Sequence, residues 1–125
     1  MNFYDSFEYL APSPSVVALG CFDGIHIGHM AVIKSAKEIA NKASLPLTVW
    51  CFEEPPKNFF LPCSVPLITD KNEKKQLMSE IGVDTLVCVP FFQAIADMSA
   101  KDFFCEILIK RLKASHIACG FNFTF

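Results

Sequence analysis

Four short, almost uninterrupted apolar runs limit what this chain can fold into. They are residues 15–21 (SVVALGC), Leu47–Phe52 (LTVWCF), Thr85–Val89 (TLVCV) and 116–120 (HIACG). Each has the length of a strand, and Pro or Gly punctuates the chain close to three of them. A strand that is apolar on both faces needs cover on both faces, which is the habit of parallel sheets. The intervening segments carry helical signals. In residues 30–43 the apolar positions Val32, Ile33, Ala36, Ile39, Ala40 and Ala43 recur at helical spacing. Asp70-Lys71-Asn72-Glu73 has the form of a capping box and opens a helix to about Ile81, with Gly82 placed to stop it. Ser99-Ala100-Lys101-Asp102 is a second capping signal, for a helix to about Lys113. Residues 53–66 hold four prolines and are not regular throughout.

The resulting order, β-α-β, loop, α-β-α-β, predicts an α/β fold: an open, Rossmann-like, doubly wound parallel sheet. Such sheets bind ligands beyond the carboxyl ends of their strands, where the strand order reverses. That rule selects three segments: the loop after Cys21, the loop after Phe52, and the residues after Gly120. The chain has 125 residues, enough for one domain with a sizeable core. Its net charge of -2 and lack of a basic tract argue against duplex nucleic acid as a partner. No stretch reads as a bilayer span or a secretion signal, so a cytoplasmic location and no membrane partner are expected. The six cysteines include no C-x-x-C pair, and Cys21, Cys51, Cys88 and Cys119 fall in or beside the apolar runs. They read as buried, reduced thiols rather than disulfides or zinc ligands.

The loop after the first apolar run carries the chemistry. His26-Ile27-Gly28-His29 stands directly before a helix. A helix start offers unpaired N–H donors and a partial positive charge. Gly28 lacks a Cβ and lets a base or phosphate approach the backbone. Two imidazoles on one turn can address one anionic centre. A turn with incidental surface histidines is the bland alternative, but the strand before the motif and the helix after it argue for a phosphate site. No third ligand falls at a spacing that suggests a metal centre.

Gly20-Cys21-Phe22-Asp23-Gly24-Ile25-His26-Ile27-Gly28-His29 resembles the G-x-F-D-G-x-H-x-G-H signature of the bacterial FAD synthetase family, within the H-x-G-H nucleotidyltransferases. Three later segments resemble that family in order and spacing. Thr48-Val49-Trp50-Cys51-Phe52-Glu53-Glu54-Pro55-Pro56 is similar to a strand running into an F-x-P-x-P loop, with Glu54 where the first proline would stand. Leu67-Ile68-Thr69-Asp70-Lys71-Asn72-Glu73-Lys74, leading to Gly82-Val83-Asp84, is similar to an L-T-x-x-x-x-K segment. Gly120-Phe121-Asn122-Phe123-Thr124-Phe125 is similar to G-x-[DN]-F-x-F.

The resemblance implies adenylyl transfer from ATP to FMN, giving FAD and pyrophosphate, with Mg²⁺. It implies an ATP side of Phe22, Asp23, Gly24, His26, Gly28 and His29, with His26 and His29 as the catalytic pair. It implies a flavin side of Pro56, Phe60, Asn122, Thr124 and Phe125. Apolar walls and one amide suit an isoalloxazine ring, although Phe60 is one of 13 phenylalanines and Asn122 also suits a turn. Residues 1–125 are expected to form a single FMN adenylyltransferase-like domain, C-terminally incomplete. It would be truncated before the family's last phosphate-binding segment, with the riboflavin kinase domain absent. Full activity is not expected of these residues alone, and an exposed sheet edge is expected to favour self-association. Two alternatives stand beside this reading: an H-x-G-H nucleotidyltransferase with another phosphorylated acceptor, and a non-catalytic nucleotide- or flavin-binding module.

Overall fold

Residues 1–6, 8–20, 27–52, 71–90 and 93–119 are described by the structure, a computed structural model. Five strands form one sheet: β1 (Asn2–Tyr4), β2 (Ser15–Gly20), β3 (Leu47–Phe52), β4 (Thr85–Val89) and β5 (Ala114–Cys119). Their order is β1-β4-β3-β2-β5, and all neighbours are parallel. Among the described residues the helices are α1 (Ile27–Ala43), α2 (Lys71–Ile81), the short α3 (Gln93–Ala96) and α4 (Ala100–Phe103). The last continues without a break as a π-helix over Phe104–Arg111.

Every residue of β2 and of β4 is buried, as their unbroken apolar runs require. Side chains alternate between the two faces of the sheet, and each face has its own core. On one face Val16, Ala18, Val49, Leu86 and Cys88 meet Ile33, Ala36 and Ala40 of α1 and Met78 of α2. On the other, Val17, Leu19, Trp50 and Val87 meet Ile95, Phe103, Ile107, Leu108 and Leu112. Trp50 and Phe103 pack edge to face with centroids 5.4 Å apart. The chain steps from β2 to β3 to β4 with α1 and α2 on the first face. It then returns past β2 to β5 with the last helices on the second. Crossovers of one hand put helices on opposite faces when the direction of progress reverses, so this is a doubly wound sheet.

The helix ends follow local chemistry. Ser99 Oγ accepts the Asp102 N–H at 3.1 Å and caps α4. At the end of α2, Gly82 turns to φ +101° while the Val83 N–H reaches back to the Met78 carbonyl at 3.1 Å. Ser44 and Lys113 take the same left-handed role after α1 and the π-helix, at φ 56° and 51°. Asp70, read as a cap for α2, lies outside the described residues. The buried Ser15 hydroxyl donates to the Leu112 carbonyl at 2.9 Å and ties β2 to the last helix.

Several expectations are corrected here. The N-terminal strand β1 does not stand out in the sequence, because three residues carry no period. It pairs with β4 in register Asn2↔Thr85 to Tyr4↔Val87. Helix α3 is too short for a periodic signal. The last strand begins at Ala114 rather than His116, which sits exposed within it. Cys51 and Cys88 are buried as expected, but Cys119 is exposed, because β5 has a strand on one side only among the described residues. Ile117 on the same strand is 38% exposed, and among the described residues β5 pairs with β2 alone.

Candidate active site

Three adjacent strands, β3, β2 and β5, end at one edge of the sheet. Leu19 is in register with both Trp50 and Cys119, and Gly20 with Cys51. The chain therefore leaves the sheet at Gly20, Phe52 and Cys119 within a residue or two of the same level. Strand spacing puts the outer two of these exits about 10 Å apart, a span that suits a nucleotide. The strand order reverses at β2, so this is the switch point of the sheet.

From Gly20 the chain passes to α1, whose first residues are Ile27, Gly28 and His29. The first four amides of a helix have no intrahelical acceptor, and the helix dipole makes this end positive. No acidic residue occupies the first turn of α1, and Lys42 lies in the last. The charge pattern leaves the amino end to an incoming anion. Ile33, Ala36 and Ala40 are fully or almost fully buried against the sheet and hold the helix in place.

Gly28 and His29 are thus the second and third residues of α1. Phe22, Asp23, Gly24 and His26 belong to the link between β2 and α1 and lie outside the described residues. So do Pro56 and Phe60, in the segment between β3 and α2, and Asn122, Thr124 and Phe125, which follow β5. What the structure brings together is the set of anchors from which these three groups depart. Trp50 was read from the sequence only as part of a strand. Its ring is 2% exposed, next to Leu19 in register and against Phe103, where it braces the strands beneath the site.

A separate groove of about 540 Å³ lies between α1 and α2, lined by Lys34, Lys37, Glu38, Leu77, Glu80 and Ile81. These residues stand past the first turns of both helices, away from the strand ends. The mixture of two lysines and two glutamates gives it no single charge. Among the described residues no three His, Cys, Asp or Glu side chains converge on a cation site, and no helix is long and apolar enough to cross a membrane.

Comparison with known proteins decides the family. The model of the FAD synthetase family matches residues 9–125. The chain belongs to the FAD synthetase family. Among the relatives of this FAD synthetase-family chain is the bifunctional riboflavin kinase/FMN adenylyltransferase of Escherichia coli strain K12, 35% identical over 111 residues. That alignment covers 88% of this chain and 36% of the relative. The Bacillus subtilis strain 168 protein of the same name is 37% identical over 113 residues, covering 89% and 35%. The chain thus spans about a third of the length of these curated relatives. A crystal structure described as a macrolide-efflux protein from Streptococcus pneumoniae superposes with a TM-score of 0.90 at 33% identity. It covers all of this chain and 43% of its own.

Proposed function

We propose that this domain transfers the adenylyl group of ATP to FMN, giving FAD and pyrophosphate. The observation that carries the reading is the meeting of three strand ends at the switch point, with α1 opening there on Gly28 and His29. In this reading ATP lies along the amino end of α1. Phe22, Asp23, Gly24, His26, Gly28 and His29 surround its phosphates. The flavin lies between the segment after β3, with Pro56 and Phe60, and the segment after β5, with Asn122, Thr124 and Phe125. β3 and β5, which lead into these two segments, flank β2, which leads into the proposed ATP loop.

The chemistry is a direct in-line displacement. An FMN phosphate oxygen attacks the α-phosphorus of ATP, and the bond to the bridging oxygen breaks to release pyrophosphate. No protein nucleophile takes part. Catalysis is positioning plus stabilisation of the charge that builds on the α-phosphoryl oxygens, supplied by His26, His29 and the first-turn amides. Mg²⁺ supplies charge neutralisation on the polyphosphate, and Asp23 is the carboxylate proposed to help place it.

The names of the bifunctional relatives support the flavin acceptor over other phosphorylated acceptors, and a catalytic role over a binding-only module. They also support reading residues 1–125 as the adenylyltransferase part of a longer protein with a riboflavin kinase domain; a cytoplasmic location is proposed with it. The efflux description of the structural relative is not carried over to this domain.

The test is pyrophosphate release from ATP and Mg²⁺, with and without FMN, by the native full-length protein and its His29→Ala variant. FMN-dependent release is expected, reduced about 10²–10³-fold in the variant, as for loss of one transition-state donor. An FMN-independent or absent release from the native protein overturns the flavin assignment. Equal rates for the two proteins overturn the role of His29.

A further inference from the structure

Cys51 of β3 and Cys88 of β4 are direct partners across two neighbouring parallel strands. Both are buried, at 0% and 2% exposure, and both belong to the core on the face covered by α1 and α2. Side chains of one strand alternate between faces, so membership of the same core means that the two side chains leave the sheet on the same side. Neighbouring strands run about 4.8 Å apart, inside the window of about 4.4–6.8 Å between Cα atoms that a disulfide requires. The Cβ atoms of such partners need to approach by only about 1 Å to reach bonding geometry.

Their place in the strands makes that approach feasible. Cys51 is one residue before the end of β3 at Phe52, and Cys88 is one residue before the end of β4 at Val89. One further pair, Phe52↔Val89, follows before the ladder stops, so few hydrogen bonds beyond them resist a small local closure. No other described cysteine competes. Cys119 is in register with Leu19 of β2, which puts it two strands from Cys51, about 10 Å away at ordinary strand spacing. Cys105 is exposed on the π-helix, on the opposite side of the sheet from this core.

We propose that Cys51 and Cys88 form a dithiol modification site which a hydroperoxide closes to a cross-strand disulfide. One thiolate attacks the peroxide O–O bond, giving a sulfenic acid and releasing the reduced peroxide as an alcohol or water. The second thiol attacks the sulfenic sulfur. The S–S bond forms, the S–O bond breaks, and hydroxide leaves as water with the thiol proton. Two thiols and one hydroperoxide thus become one disulfide, one alcohol or water, and one water. Both sulfurs are oxidised and the peroxide is reduced. The new bond joins the ends of β3 and β4 at the foot of the segment 53–70. The proposal stands on register and burial and is independent of the flavin assignment.

The experiment uses the native wild-type protein and hydrogen peroxide. After exposure the peroxide is removed with catalase and the fold is checked by circular dichroism. The protein is then unfolded in an alkylating agent, and its peptides are mapped by mass without reduction. The expected result is a folded protein in which the Cys51 peptide is joined to the Cys88 peptide, with the link abolished by dithiothreitol. Cys51→Ser and Cys88→Ser variants should each lose the link and leave the other cysteine alkylated or oxidised alone. Recovery of both as alkylated thiols while Cys105 and Cys119 are oxidised would overturn the proposal. So would links from Cys51 or Cys88 chiefly to some other cysteine.

Discussion

Gly82 closes α2 at a φ of +101°, where an L side chain is strained whatever space surrounds it. An added Cβ would also meet Lys37 Cε at 3.2 Å. The half-buried stem of Lys37 lies across this turn, so a residue whose charge suits solvent also packs. The lysine can give way, but the backbone cannot. Gly82→Ala is therefore expected to cost about 1–2 kcal/mol, read as a lower midpoint in urea unfolding with an unchanged slope. No loss means that the turn relaxes to a negative φ without disturbing the Val83–Met78 hydrogen bond.

Among the helices, α1 matters most to the site, because its first turn faces the switch point. Its grip on the sheet comes from Ile33, Ala36 and Ala40, all fully or almost fully buried. Ile33 is the largest of the three. Ile33→Ala removes most of a buried side chain and leaves a gap between α1 and the sheet. An expected cost of about 2–5 kcal/mol follows, measured by thermal or urea unfolding. The same variant should weaken nucleotide binding if the amino end of α1 is the phosphate site, since the helix loses its register against β2. At the other end of the chain the π-helix buries Ile107 and Leu108, with the Leu112 N–H bonded to the Ile107 carbonyl at 2.9 Å. That five-residue closure brings Leu112 into the core and delivers the chain to β5.

The N-terminus adds an edge strand to the sheet and responds to pH. Tyr9 lies on the crossover from β1 to β2, stacked on Tyr4 with centroids 4.2 Å apart and packed against the second core. Burial first, and then the neighbouring Tyr4, raise its pKa above the ordinary 10.0, partly offset by a side-chain hydrogen bond with Thr85. The folded state therefore holds this proton more tightly than the unfolded chain. Its contribution to stability is complete below pH 10 and is lost as pH rises through the folded pKa. Wild-type stability is expected to fall in alkaline titration from about pH 10 upward. In Tyr9→Phe this part of the fall should be missing. An identical alkaline slope in both proteins would remove Tyr9 from the account.

Much of this was legible in the residues. The apolar runs specified β2, β3, β4 and most of β5, because a strand covered on both faces has no polar alternation to blur it. Helical spacing and the Gly82 signal placed α1 and α2 close to their observed limits, and Ser99 marked the start of α4, whose continuation over Phe104–Arg111 takes a π form that had no signal in the sequence. The order of elements predicted a doubly wound sheet, as observed. Only the tertiary structure decided that β1 exists, since its three residues gain strand geometry from pairing with β4 and not from any pattern of their own. It also decided that Cys119 faces solvent while Cys51 and Cys88 meet, because exposure on a strand depends on which neighbours flank it. The same holds for the site. Local sequence named Gly28 and His29, but the adjacency of the exits at Gly20, Phe52 and Cys119 comes from the strand order, which non-local pairing sets.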